Sequence, residues 1–301
     1  VMEQQPGPVN WAPYNPAPEP GALRLWAFEA FAAGAELVSY FRWRQPSFAQ
    51  EQMHEALLLP NGELNEGWHV CRQIAGELAD LDAVAAPARA DVALVFEYES
   101  AWAWDIQPQG ADFSHLDMAL RFYRALRRAG ISVDVVPPTT EAVQGRRLVI
   151  LPALFAGSQA LAETLATSDA QMLIGPRTGS KTADFSIHPD LPPGPFSDLA
   201  GITVTRVESR PPLAPVALAD GTHFEGWREF VRIDAETVEI ELESADGHPA
   251  WLVNGRVHYL AGRPDEALAD RVVRRLLDDA GLAAHALHRD IRIRDNGDLR
   301  H

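Results

Sequence analysis

Apolar residues recur along this chain first at helical spacing and then in continuous runs, and the change between the two divides it. Val1 to Gln5 reads as the end of a strand, closed by Pro6-Gly7-Pro8. Pro20 suits a first helical turn, and Leu23, Leu25, Trp26, Phe28, Ala30 and Phe31 predict a helix that stops at Gly34. Residues 36–41 predict a short buried strand, 42 to about 67 a polar, aromatic loop, and Val70, Ile74, Leu78 and Leu81 a second helix. Pro87 to Asp91 reads as a linker. Beyond it Val92 to Phe96 is uninterruptedly apolar, the form of a parallel strand covered on both faces. Helix 113–129, strands 132–136 and 147–151, helix 158–168 and strand 171–175 follow, an alternation that predicts a doubly wound α/β layer. From 202 to 262 the pattern is strand-rich, with alternation at 238–242 and a hairpin over 250–261 turning about Asn254-Gly255. A helix over 265–280 carries Leu268, Val272, Val273, Leu276 and Leu277 and ends at Gly281. Residues 289–294 alternate again, ahead of an Asn296-Gly297 turn signal.

Composition narrows the picture. With 301 residues, 47% of them apolar and 23% charged, the chain holds one large or two ordinary domains. Basic residues number 26 against 42 acidic, a net charge of −16 that repels phosphate backbones and anionic membranes. Neither nucleic acid nor a membrane is therefore expected as a partner. No apolar run reaches the roughly 18 residues of a membrane helix, and the opening Val1 to Gln5 has neither the basic nor the apolar region of a signal peptide, so a soluble, cytoplasmic protein is expected. A single cysteine, Cys71, excludes an internal disulfide framework and a cysteine-based zinc cluster and agrees with a reducing compartment. The opening on Val1-Met2 and the unpartnered strand pattern near the end both read as cuts from a longer protein.

Six of the eight tryptophans fall in the first 104 residues, where the candidate chemistry also lies. Glu3 occupies the carboxyl end of a predicted strand, where parallel-barrel enzymes keep catalytic groups; a solvated glutamate is the competing reading. Trp11 follows it, and Arg42, Trp43, Arg44, Gln45, Gln50, Glu51 and His54 follow the next strand. Indole faces with carboxylates, amides and imidazole suit a sugar, which offers an apolar C–H face and a rim of hydroxyls. Core packing competes for Trp11 and Trp43. Glu51 and His54 are spaced i and i+3, but no second ligand lies at metal-site spacing, so no metal is expected. Residues 175–182, Gly-Pro-Arg-Thr-Gly-Ser-Lys-Thr, miss the phosphate-loop spacing: three residues rather than four separate the glycines, and Ser180 precedes Lys181. An amidotransferase would need a cysteine on a strand-to-helix elbow, and Cys71 lies before the α/β layer begins.

Met2 to Pro13, Arg24 to Trp26, Tyr40 to Gln45, Phe48 to His54, Tyr98 to Trp104, Ile106 to Gln109, Gly175 to Thr182 and Arg206 to Ser209 together resemble glycoside hydrolase family 42 β-galactosidase, over nearly the whole chain. The resemblance implies three parts. Residues 1–86 would be the last strands and helices of a (β/α)8 TIM barrel, and 87–284 a doubly wound α/β trimerisation domain of class I glutamine amidotransferase-like form. Residues 285–301 would begin a small antiparallel β domain. It implies a retaining enzyme, without cofactor, that removes terminal non-reducing β-D-galactose from β-galactosides, and a homotrimer. Glu3 falls on the nucleophile, Trp11 on a stacking position, and Glu51 and His54 on positions that contact galactose hydroxyls. Asn10, Arg42 and Gln50 support them at most. Retaining glycosidases need a second carboxyl roughly 5 to 5.5 Å from the first. In the family it lies on an earlier barrel strand, and Glu29, Glu36 and Glu55 are poorly placed to replace it. This chain alone is thus expected to be inactive, the alternative function being that of a non-catalytic assembly module. Any cysteine zinc cluster of the family would likewise lie outside these residues. A quarter of a barrel lacks partners for its strand edges, so residues 1–82 are expected to be less stable than 88–284.

Overall fold

Leu23, Ala27 and Phe31 are buried at every fourth position of a helix, α1 (Ala22–Ala32), while Leu25 between them is 64% exposed. The predicted apolar run is thus a narrower stripe. Gly34, at φ 95°, ends the helix: its N–H bonds the Phe31 carbonyl and the Ala35 N–H bonds that of Ala30, each at 2.9 Å. The second predicted helix, α2 (Glu66–Ala79), is capped by the Asn65 side chain, which accepts the Glu66 N–H. Ile74 packs on Ala27 and Phe31 with Val70 and Leu78 alongside, and Leu81 lies beyond the helix end. The strands predicted at 1–5 and 36–41 reduce to one parallel bridge, Gln4 with Tyr40. Each has a single neighbour there, and Leu37 is 68% exposed rather than buried.

The computed structural model describes residues 1–81, 88–111, 114–285, 287–288, 291–296 and 299–300. The chain forms two units, Val1–Arg89 with Arg294–His301, and Ala90–Ile293.

The second unit contains β1 (Val92–Val95), α3 (Tyr98–Ile106), α4 (His115–Arg128), β2 (Val133–Val136), α5 (Thr140–Val143), β3 (Leu148–Leu151), α6 (Gln159–Ala166) and β4 (Gln171–Ile174). After a 3-10 turn (Gly194–Phe196) come α7 (Ser197–Ala200), β5 (Ile202–Ser209), β6 (Val216–Ala217), β7 (His223–Ile233), β8 (Val238–Glu243), β9 (Pro249–Asn254), β10 (Val257–Leu260), β11 (Gly262–Pro264) and α8 (Glu266–Asp279). A seven-stranded sheet runs β2-β1-β3-β4-β10-β9-β8, parallel through β10 and antiparallel at β9 and β8. Successive strand residues point to opposite faces. Val92, Leu94, Leu148 and Ile150 meet Phe122 of α4 and the Leu268, Val272, Val273, Leu276, Leu277 stripe of α8. Ala93, Val95, Val149 and Leu151 meet Leu161 and Leu165 of α6. This two-faced burial explains why these strands read as unbroken apolar runs.

A second sheet, β11-β7-β5 with β6 paired to β7, accounts for the rest of the strand-rich region. The expected hairpin forms one residue later than predicted: Asn254 pairs Val257, so Gly255 and Arg256 make the turn. Gly255 at φ 59° takes the first central position, where a II′ turn demands glycine. The helix predicted from 113 starts at His115 behind its Ser114 cap, and Phe113 and Pro87 lie outside the described residues. No strand forms over 291–294, where alternation was read, and residues 289–290 and Gly297 lie outside the described residues. A ladder of β12 (Asp295–Asn296) with β13 (Leu299–Arg300) forms there instead.

Candidate active site

In the first unit, short backbone pairings bring the predicted site segments together. The Gln4 N–H bonds the Ser39 carbonyl at 2.8 Å and the Phe41 N–H bonds the Gln4 carbonyl at 3.0 Å, so residues 1–4 lie beside 37–41. Glu3 is the residue before that bridge, exposed, at φ 59°. Directly after it Phe41 packs edge-on against the His54 ring, centroids 5.1 Å apart, and the Arg42 guanidinium lies 3.7 Å from the Glu51 carboxylate. His54 is buried, with Nδ1 3.0 Å from the Glu55 carbonyl and its N–H donated to the Glu51 carbonyl. Glu51, like Glu3, holds a left-handed φ, of 61°. Such a conformation costs a non-glycine residue about 1 kcal/mol or more and is concentrated at functional sites.

Glu3, Glu51 and His54 thus sit on segments tied to one another, whereas Trp11 stands on a loop with its indole 74% exposed. Trp43 pairs with Trp68, ring centroids 5.6 Å apart. Glu55, weighed above only as a proton donor, has a different place. Its N–H bonds the Pro8 carbonyl, its carboxylate accepts from Asn65 Nδ2 at 3.0 Å, and a Cβ on Gly7 would come within 2.4 Å of it. It fastens the Pro6-Gly7-Pro8 loop that follows Glu3, and the glycine between two prolines was the signal in the sequence.

Cys71 is half-buried beside Tyr40, and burial pushes its thiol up, away from the thiolate a nucleophile requires. Among the described residues no three His, Cys, Asp or Glu side chains stand together as a metal site, and no helix is long and apolar enough to cross a membrane.

Carboxylates, an imidazole and an exposed indole on these segments are groups that can hydrogen-bond and stack on a sugar. Comparison with known proteins gives this a family. The profile of the β-galactosidase trimerisation domain matches residues 90–283, and that of β-galactosidase matches residues 1–81. The chain belongs to the glycoside hydrolase family 42 β-galactosidases. It is 46% identical to a β-galactosidase of Thermus thermophilus over 300 residues, 99% of this chain and 46% of that protein. Among solved structures, a β-galactosidase from the psychrophilic Marinomonas ef1 superposes with a TM-score of 0.91 at 38% identity, covering 100% of this chain and 47% of the other. The β-galactosidase of the Antarctic haloarchaeon Halorubrum lacusprofundi superposes equally well at 39% identity, covering 99% of this chain and 46% of the other. The chain spans about half the length of the curated relatives it matches.

Proposed function

We propose that this chain is the nucleophile-bearing part of a retaining β-galactosidase. Residues 1–86 are the closing segment of a (β/α)8 barrel, 87–284 a trimerisation domain and 285–301 the start of a further β domain. Glu3 attacks the anomeric carbon of a terminal β-D-galactose as its glycosidic C–O bond breaks and the aglycone, protonated, leaves as an alcohol, forming a galactosyl ester that water then hydrolyses to free galactose and the Glu3 carboxylate. The proton-donating carboxylate comes from sequence outside these 301 residues. Trp11 stacks on the sugar's apolar face, and Glu51 and His54 accept and donate hydrogen bonds at its hydroxyls. Arg42, 3.7 Å from Glu51, orients that carboxylate.

The observation that supports this most is the parallel pairing of residues 1–4 with 37–41, which ties the Glu3 segment to the residues that hold His54 and Glu51. A 2-deoxy-2-fluoro-β-galactoside tests it, because the fluorine slows breakdown of the ester. In the active β-galactosidase that carries this chain, peptide mapping is expected to find the sugar on Glu3, and Glu3→Gln to abolish labelling without altering oligomeric state. A label on another carboxylate would move the nucleophile elsewhere. The second reading, an assembly module without catalysis, draws on the large cores of the second unit. Sedimentation as a trimer, with no turnover of a chromogenic galactoside by the 301-residue chain, supports it.

A further inference from the structure

The second unit holds a pocket of about 310 Å³ at the carboxyl ends of its parallel strands. From β1 the chain crosses to β2 on one side and returns to β3 on the other, so strand order reverses between β1 and β3. In open α/β sheets that reversal opens a crevice, the usual place for a ligand. Here Ala103 and Gln107 follow β1, Phe155 follows β3, and Arg177 and Lys181 follow β4, all lining the pocket. The last two belong to the segment whose spacing excluded a phosphate loop.

That segment is rigidly braced. Thr178 Oγ1 accepts the Leu154 N–H, and Gly179 and Lys181 donate their N–H groups to the Leu154 and Phe155 carbonyls. Arg177, at φ 67° and only 7% exposed, is held with its guanidinium 4.1, 4.4 and 4.9 Å from the ring centres of Trp104, Phe155 and Trp227. Pro108 and Gln107 carbonyls accept from Nη1 and Nη2 at 3.1 and 3.5 Å, which leaves the other guanidinium N–H groups without a described acceptor. Glu229 is the single carboxylate of the lining, and it is turned inward: Oε1 accepts from the Arg177 N–H and Trp227 Nε1, and Oε2 from the Tyr259 hydroxyl.

On a chain of net charge −16 this lining presents two cations, Arg177 and Lys181, against that one buried carboxylate. Lys181 has no ion-pair partner among the described residues, whereas Arg206 lays its guanidinium 3.6 Å over the ring of its cross-strand partner Phe230, on the sheet face opposite Trp227 and Glu229. The remaining wall is mostly apolar, with Phe155, Leu191, Val204 and Trp227, and Ile187 stands 77% exposed at the rim. We propose that the pocket binds a small carboxylate with a flat, apolar body, its anionic head met by Arg177 and Lys181 and its body lying between the apolar walls. Cations select the charge, and the apolar wall favours such a ligand over free phosphate, which would leave that surface wet.

Benzoate is the probe, with benzamide as its neutral counterpart of similar shape and inorganic phosphate as the anion without a body. Titration calorimetry on the 301-residue chain is expected to show benzoate binding about tenfold or more tighter than either. Lys181→Ala is expected to weaken benzoate about tenfold with an unchanged unfolding transition. Arg177→Lys, whose folding is checked by the same transition, should weaken it further. Equal affinity for benzoate and benzamide, or benzoate binding untouched by Lys181→Ala, overturns the proposal. So does absence of benzoate binding in a chain whose oligomer dissociates in the Lys181→Ala variant, since the pocket would then be a contact between copies. Neither the measurement nor its failure bears on the role of Glu3.

Discussion

Glu229 is 2% exposed and accepts three hydrogen bonds, so its neighbours fare worse without it than it fares buried. Burial pushes its carboxyl above the ordinary range, while the donors and the adjacent Arg177 pull it down; burial also lowers Arg177 to about 10. Glu229→Ala removes the acceptor of the Tyr259 hydroxyl and the Arg177 N–H. It is expected to cost about 3 kcal/mol or more in urea unfolding, and Glu229→Gln, which keeps an acceptor oxygen, about half of that or less. Two histidines carry a pH dependence. His115 donates from Nε2 to the Ala153 carbonyl, and His258 Nδ1 accepts from Trp251 Nε1 with Nε2 3.3 Å from Asp279. Both are lowered to about 4, burial being the main cause, with Arg177 adding to it at His115 and Arg275 at His258. The unfolded chain therefore takes up protons below about 6.5 that the folded chain refuses until about 4, and stability falls as pH drops through that window. The carboxyls of half-buried Glu97 and buried Glu229, both raised by desolvation, act in the opposite sense. A variant isolates the imidazole: His115→Gln keeps a donor for Ala153. Between pH 7 and 4.5 it is expected to lose about 2 to 3 kcal/mol less stability than the parent chain. An equal loss would place a titrating imidazole at that position.

At the scale of elements, what the chain reveals depends on whether burial and sequence period agree. The strands β1, β3 and β4 are covered on both faces, and α8 buries one clean stripe, so their patterns predicted them almost to the residue. Helix α3 was illegible because its polarity is inverted: Tyr98, Trp102 and Ile106 are exposed at every fourth position, while the side facing the core carries Ser100 and Trp104. Strand β7 hid for a related reason, since Glu225, Arg228, Glu229 and Arg232 interrupt it and the most buried of them, Glu229, is an acid. The site segments around Glu3 and His54 carried little period at all. Their residue types gave them away, and the pairings that join them are isolated bridges that no pattern announces. Helix ends were legible through glycine. Gly281, at φ 64°, closes α8 with its N–H on the Asp278 carbonyl and the Leu282 N–H on that of Leu277. A Cβ there would meet nothing nearer than the flexible Arg147 guanidinium at 3.0 Å. Gly281→Ala should therefore cost only the left-handed backbone, about 1 kcal/mol in urea unfolding, against about 3 kcal/mol or more for Leu276→Ala in the buried stripe beside it.

Across the whole molecule the two units differ in how their apolar surface is spent. In the unit of Ala90–Ile293 the central strands β1, β3 and β4 of the seven-stranded sheet are buried on both faces, with Trp104, Trp251, Phe122 and Phe155 among the unit's fully enclosed side chains. In the unit of Val1–Arg89 with Arg294–His301 the buried contacts between α1 and α2 are Ala27, Phe31 and Ile74, and Met2, Leu37, Trp43, Phe48 and Met53 are all more than 60% exposed. Opening free energies follow buried apolar contact, and strands joined by single bridges have little to hold them. Limited digestion of the 301-residue chain is therefore expected to cut within residues 1–81 first and to leave a resistant piece spanning about 90–284. Amide exchange should give the same order, with Val92–Val95 and Leu148–Leu151 slowest. A protease that removed the second unit and spared the first would reverse the ranking, because it would require contacts around Glu3 stronger than the bridges seen there. On the function proposed above, the same comparison in a longer chain that includes these residues separates instability of the segment from instability of the site. If sequence beyond these residues completes a barrel, cleavage within 1–81 should slow markedly there, while the rate within 90–284 changes little.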